Sequence, residues 1–215
     1  MDILLLEKAL EASTNSIVFT DANGKITYVN PAFIRTTGYE AEEVLGKNPS
    51  VLKSGEVPRS EYENLWKTIK SGNTWIGTFH NRKKNGTLFW ERATIFPIIS
   101  EEGKISHFVS IKEDISSEKH ALEMLQAVVR SNRLLLESAN LEETIQQILG
   151  IFGRACEVDR AYLFAIEKQG NREIPELTIQ SEWNSGSFLP QIDNPELKNL
   201  RTDGNTFGKW IERLK

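Results

Sequence analysis

Three short turn signatures punctuate the first half of the chain: "DANG" at 21–24, "KKNG" at 83–86 and "EEG" at 101–103. Each ends on glycine, which adopts left-handed backbone angles without steric cost, and each separates two runs rich in β-branched or aromatic residues. Such punctuation constrains the segment to hairpins. The runs are "SIVFTD", "KITYVN", "TWIGTFHNR", "TLFWERATIFPII" and "ISHFVSIKED", and they predict five antiparallel strands. Between the second and third run lies a polar stretch with short helical signals. Asn30 caps "PAFIRTTG", Pro31 suits the first helical position, and "RSEYENLWKTIK" repeats apolar residues at helical spacing. Two strands, several small helices and three strands describe an α+β domain that ends near Asp114.

Composition narrows the partners. The chain has 215 residues, 39% hydrophobic and 26% charged, enough for one or two domains with cores of their own. A net charge of -4 and a pI near 5.6 argue against nucleic acid or an anionic membrane as the main partner. The leading "MDILLLEKALEAS" has no basic flank and carries Glu7 and Lys8, so it predicts an amphipathic helix over 1–13 rather than a signal peptide or membrane span. The single cysteine, Cys156, forms no internal disulfide and fits a reducing cytoplasm; its expected role is that of a small buried core residue.

The segments "ITYVNPAFIRTTGYEAEEVLGKNPSVL", "LWKTIKSGNTWIGTFHNRKKNGTLFWERATIFPI" and "VSIKEDIS" resemble a PAS domain, the sensory module of signalling proteins, in order and spacing over about half of the chain. The resemblance implies a PAS fold over 14–114, with a five-stranded antiparallel sheet. It also places Asp114, Ile115 and Ser116 at the element that joins the last strand to an output helix. Ser116 replaces the family's Thr and keeps the hydroxyl. The residues themselves agree: Asp114 or Ser116 can cap a new helix, and Glu118 in the first turn suits the positive end of its dipole.

That helix, expected over 115–138, has a narrow apolar stripe. Ile115, Leu122, Val129 and Leu136 recur every seven residues, and Leu125 and Ala139 fill two of the four intervening positions, where Glu118 and Asn132 are polar. A stripe of this width hides little on a monomer and pairs well with a copy of itself as a parallel coiled coil, with Asn132 available to set register. A homodimer is the expected assembly.

A second unit, 139–215, opens on Asn140 with Glu143 three residues on, a capping-box-like start to a helix with a broad apolar face. "VDRAYLFAIEKQG" and "ELTIQSEW" follow as strands, then "NPELKNL" and "NTFGKWIERL" as helices. The run "DRAYLFAI" with "SEW" resembles the first part of a GAF domain, an incomplete GAF-like α/β unit. The resemblance implies an excerpt of a larger receptor, such as a sensor histidine kinase of a two-component system, with its output domain beyond Lys215.

No phosphate loop, paired zinc ligands or Ser/His/Asp grouping is present in the sequence, so neither catalytic nor metal residues are expected and the segment reads as a sensor rather than an enzyme. His120 lies on the linker helix without the pattern of a kinase phosphoacceptor. The helix "RSEYENLWKTIK" lacks the histidine that haem-binding relatives use, His80 and His107 fall on strands, and "NRKK" reads as a solvated turn. In flavin-binding light sensors a reactive cysteine follows "GxN", but in "GKNPSVLKSG" Pro49 takes that place. Alternation along "TWIGTFHN" puts Trp75, Gly77, Phe79 and Asn81 on one face. By resemblance Gly77 leaves room for a flat ring and Asn81 matches a flavin-contacting asparagine, with Trp66 arriving from the preceding helix as in redox-sensing nitrogen-fixation regulators. Glu91 and Lys112 stand where light sensors carry Asn and Gln; facing inward they would pair and fill the cavity, with further hydrogen bonds needed to tolerate the burial. The ligand alternatives are therefore FAD in a redox role, another small molecule, or none. The corresponding functions are sensing with transmission along the helical linker, or ligand-free structural dimerisation in a sensor kinase or diguanylate cyclase.

Overall fold

One turn geometry, used three times, builds the hairpins. In the computed structural model, which describes residues 2–167, 176–198 and 200–201, the amide N–H groups of Asp21, Lys83 and Ser100 each donate to the carbonyl four residues on, at 2.8 Å. Gly24, Gly86 and Gly103 take φ of +79°, +92° and +75° in those turns. At Gly24 the requirement is doubled, because a Cβ would lie 2.7 Å from the Trp66 ring.

The chain divides into two compact units, Met1–Lys119 and His120–Lys215. The first begins with α1 (Ile3–Ala12), followed by β1 (Ser16–Asp21), β2 (Ile26–Val29), α2 (Pro31–Thr37), α3 (Ala41–Val44), a 3₁₀ turn at Pro49–Leu52 and α4 (Arg59–Lys70). Then come β3 (Trp75–Arg82), β4 (Leu88–Ile99) and β5 (Ile105–Asp114), in antiparallel sheet order β2-β1-β5-β4-β3. The five expected strands are all present. Its core forms in two clusters, one around Val18, Ile26, Phe33 and Leu52, the other around Leu65, Ile69, Trp75, Phe79 and Phe108.

Asn30 holds the first part of this unit together. Its fully buried side chain caps α2 by accepting from the Phe33 N–H at 3.1 Å, and the same oxygen accepts from the Ile17 N–H at 2.9 Å. The amide nitrogen donates to the carbonyls of Leu10 and Asn15. One side chain thus ties the end of α1, strand β1 and the start of α2.

The β5 strand hands the chain to α5 (Ser116–Glu137) through Asp114, Ile115 and Ser116. Asp114 Oδ1 accepts from the Ser116 N–H at 3.0 Å and from its hydroxyl at 2.6 Å. The Ser116 hydroxyl oxygen accepts from the Trp90 N–H, while the Ile115 N–H donates to the Trp90 carbonyl. Of the two residues proposed as the helix cap, Asp114 satisfies the Ser116 N–H, whereas Ser116 bonds back to the sheet. Ile115, expected in the exposed stripe, is 6% exposed and belongs to the core of the first unit.

In the second unit α6 (Leu141–Ala155) starts at Asn140, whose side chain accepts from Glu142 and Glu143 as expected. The antiparallel strands β6 (Arg160–Glu167) and β7 (Glu176–Asn184) follow, with a short β8 (Leu200–Arg201) pairing to β7. Two expectations need correction. "NPELKNL" forms a single 3₁₀ turn at Pro195–Leu197, because its backbone then pairs as β8. Cys156 is exposed, since it terminates α6 instead of facing the core; its thiol lies 3.6 Å from the Met124 sulfur. The expected helix "NTFGKWIERL" lies outside the described residues.

Asn30→Ala leaves the buried Ile17 N–H without its acceptor, at a cost of about 1–3 kcal/mol, while the Phe33 N–H keeps the backbone carbonyl of residue 30, so urea unfolding should show a loss of about 1–3 kcal/mol; an unchanged stability would contradict the role of Asn30. At the junction, burial alone would raise the Asp114 carboxyl, but the Ser116 hydroxyl and amide and the Lys83 ammonium outweigh it and hold Asp114 below the usual carboxylate range. A lowered folded pKa means that the contribution is full above the unfolded value of about 4 and is lost as pH falls through the folded one. The protection factor of the Ile115 amide, its exchange rate relative to the unfolded chain at the same pH, should therefore fall below about pH 4, with a shallower acid limb in Asp114→Asn; identical acid limbs would sink the assignment.

Candidate functional site

The strands position the site through their registers. Phe79 stands opposite Glu91, and Glu91 opposite Asp114, while Ala93 faces Lys112. Asn81 and Lys112 are therefore the diagonal neighbours of Glu91 on the inner face. Both use that position. Asn81 Nδ2 donates to Glu91 Oε2 at 2.8 Å and Lys112 Nζ donates to the same oxygen at 3.0 Å. Glu91, Lys112 and Asn81 are 1%, 5% and 5% exposed, so the pair is removed from water and Asn81 supplies the added hydrogen bond that such burial demands. Glu91 Oε1 has no partner among the described residues.

Beside this triad the inner face of the sheet, α4 and the segment around the 3₁₀ turn enclose a cavity of about 110 Å³. Strand β1 contributes Val18 and Thr20, β3 contributes Phe79 and Asn81, and β5 contributes Phe108, Ser110 and Lys112. From α4 come Tyr62, Leu65, Trp66 and Ile69, and from the segment before it Asn48, Pro49, Ser50 and Lys53. Tyr62 stacks on Phe79 with ring centroids 5.7 Å apart, and Trp66 meets Phe108 edge-on at 5.8 Å. Burial raises the Tyr62 phenol above its ordinary range.

Of the residues singled out from sequence, Trp66, Phe79, Asn81 and Lys112 line the cavity, whereas Trp75, Gly77 and Glu91 stand outside its lining. Gly77 does leave room, but the chain fills it. The Trp75 indole folds over Gly77, where a Cβ would collide with it, and stacks on Phe79 at 5.1 Å. This bears on a flavin. A closed hollow of about 150 Å³ takes one benzene ring, so this partly open cavity of about 110 Å³ would bury only part of three fused rings with Trp75 and the Glu91–Lys112 pair in place. Pro49 is on the wall, so the position of the adduct cysteine offers no thiol.

Sequence reasoning passed over Ser110, Lys53, Tyr62 and Asn48. Ser110 was legible in principle, since it lies two residues before Lys112 on an alternating strand. Lys53 was not: it reaches the site because its backbone pairs with Asn81 across the sheet edge.

The histidines lie elsewhere. Neither His80 nor His107 lines the cavity; His80 stacks on Trp90 at 4.2 Å, with Nδ1 2.5 Å from a Glu56 oxygen. The basic run is ion-paired rather than simply solvated, Lys83 with Asp114 and Lys84 with Glu43. In the second unit His120, Glu123 and Glu157 bring ligand atoms within 4.8 Å of one another, all three exposed. Among the described residues no helix is long and apolar enough to cross a membrane.

Comparison with known proteins gives this geometry its context. The PAS domain family profile matches residues 14–117. The nitrogen fixation regulatory protein of Klebsiella pneumoniae is 36% identical over 107 residues, which are 50% of this chain and 22% of that protein. The methanogenesis regulatory histidine kinase FilI of Methanothrix harundinacea is 26% identical over 213 residues, 95% of this chain and 24% of that protein. The chain thus spans less than a quarter of the length of these relatives. A solved light-oxygen-voltage domain, described with a flavin analogue, has 28% identity and a TM-score of 0.50 over 59% of this chain and 94% of its own. Strand order, profile and relatives agree: residues 14–117 are a PAS domain, the sensory domain of signalling and regulatory proteins such as these.

Proposed function

We propose that the first unit senses a small molecule or redox state in its cavity and passes the signal along α5 to an output domain of a longer cytoplasmic protein, with no catalysis of its own. One observation carries this reading. The strand that lines the cavity through Ser110 and Lys112 runs directly into Asp114, Ile115 and Ser116, and the partner of Lys112, Glu91, adjoins the Trp90 backbone to which Ile115 and Ser116 are bonded. Occupancy that repositions Lys112 therefore bears on the first turn of α5. A signal of this kind needs a ligand that favours one arrangement over the other, because equal affinity shifts nothing.

The receiving element is a parallel homodimer through α5. Leu122, Leu125, Val129 and Leu136 are 51%, 60%, 60% and 87% exposed, which leaves an apolar stripe open to a second copy. The second unit, read as the first part of a GAF domain, would continue the relay. A match to a histidine kinase that runs through 95% of this chain supports reading both units as parts of one signalling protein.

FAD is a second reading, favoured by the amide of Asn81 on the cavity wall, which can both donate and accept at the edge of a flavin ring. It requires Trp75 to leave Gly77.

Sedimentation of the intact chain tests transmission. Leu122→Asp should be monomeric with its PAS strands folded by circular dichroism. The neutral pair Glu91→Gln with Lys112→Met should change the dimer constant severalfold, within the coupling range of about 5–150-fold. A wild type that stays monomeric at high concentration, or a dimer constant untouched by the pair, defeats the proposal. For the cofactor, refolding with FAD should leave the wild type colourless and turn Trp75→Ala yellow. A yellow wild type that bleaches on Asn81→Ala would instead establish FAD as the native ligand.

A further inference from the structure

Ser110 is the polar group that the folded unit leaves without a partner at its cavity. Its side chain lines the hollow, the residue is 8% exposed, and its hydroxyl oxygen has no hydrogen bond among the described residues. Leaving such a group unpaired is costly, so a ligand that bonds it recovers what folding gave up. Lys112, two residues on and on the same face, gives one N–H to Glu91 and, as an ammonium, has two more to donate. At the mouth the Lys53 ammonium lies 3.6 Å over the Tyr62 ring and is in no ion pair among the described residues.

Charge then selects the ligand class. Lys53 and Lys112 line the cavity and no Asp or Glu does. Glu91, which stands outside the lining, neutralises Lys112 and leaves the surplus of one positive charge at Lys53. Much of the remaining wall is apolar, with Val18, Leu65, Ile69, Ile95 and Phe108, beside the neutral polar side chains of Thr20, Asn48, Ser50 and Asn81. The volume is below that of a hollow that takes benzene, which limits an occupant to about six non-hydrogen atoms.

We infer that the cavity takes a small aliphatic monocarboxylate, its carboxylate accepting from Ser110 and Lys112 and its short chain packed against the apolar wall. The inference rests on the sensing reading and deepens it. Two oxygens of one anion can take the Ser110 hydroxyl and a spare Lys112 N–H together, which a neutral amide of the same shape matches in bonds but not in charge.

The test is a ¹H–¹⁵N NMR titration of the intact chain with sodium butyrate, with butyramide as the neutral isostere and sodium chloride as the salt control. Butyrate should shift the Ser110 and Lys112 amides saturably, and butyramide should bind at least about tenfold more weakly. Ser110→Ala removes an unpaired hydroxyl and should keep the rest of the spectrum while weakening butyrate about tenfold; Lys53→Gln should weaken it severalfold. Equal binding of the two probes, no binding of either, or an unchanged affinity in Ser110→Ala overturns the inference. If it fails while the Glu91/Lys112 replacement still alters sedimentation, the sensing reading stands without this ligand; failure of both removes that reading as well.

Discussion

A single carboxylate oxygen, Glu91 Oε2, sets the inner face of the sheet. It takes the amide of Asn81 from one neighbouring strand and the ammonium of Lys112 from the other, so three strands meet at one buried point. A slip of one residue in either register would turn one partner to the opposite face, costing Glu91 its amide hydrogen bond on the β3 side and leaving a charge buried alone on the β5 side. Breaking such a pair costs about 3–5 kcal/mol, whereas replacing both members with well-packed apolar residues is often neutral. The pair therefore contributes less to stability than to specifying a single register. It also fixes Lys112 at the cavity with two donors uncommitted.

The same point joins the cavity to the start of α5. Glu91 is bonded to the residue that lines the cavity, and its chain neighbour Trp90 holds the start of α5 by both of its backbone groups. The Trp90 ring is in turn covered by His80 at 4.2 Å and approached by the Lys119 ammonium at 5.1 Å. A well-packed contact of this kind does not deform by degrees. Ligand-dependent movement of Lys112 would then be expected to move the strand end as a unit, which suits a two-state relay.

Much of this was legible because it is local. The three glycine turns, the Asn30 cap and the strand alternation each depend on a few adjacent residues, and each appears where the sequence placed it. The pairing of Glu91 with Lys112 was legible too, since alternation sends both inward once the strands are neighbours. What escaped depends on three-dimensional packing. Alternation put Trp75 and Gly77 on one face but carries no information on rotamer, so it could not show that the indole would occupy the space glycine leaves. A heptad count admitted Ile115 to the stripe, although its position at the strand end buries it in the PAS core. Cys156 was assigned to a core by residue type alone, yet it lies exposed just beyond the last turn of α6.

Why a strand should pass straight into a helix with so few apolar residues follows from the faces of that helix. Ala127 and Ser131 are buried within the second unit. At 3.6 residues per turn they lie about half a turn away from Leu122, Leu125, Val129 and Leu136, all of which remain exposed. One side of α5 is thus used by its own chain, and the other carries an exposed apolar strip, which Val128 and Leu135 widen. A broader hydrophobic face would bind the helix permanently to one surface. In the proposed dimer, pairing along this open strip would depend on rotation, which a shift at Asp114, Ile115 and Ser116 would supply.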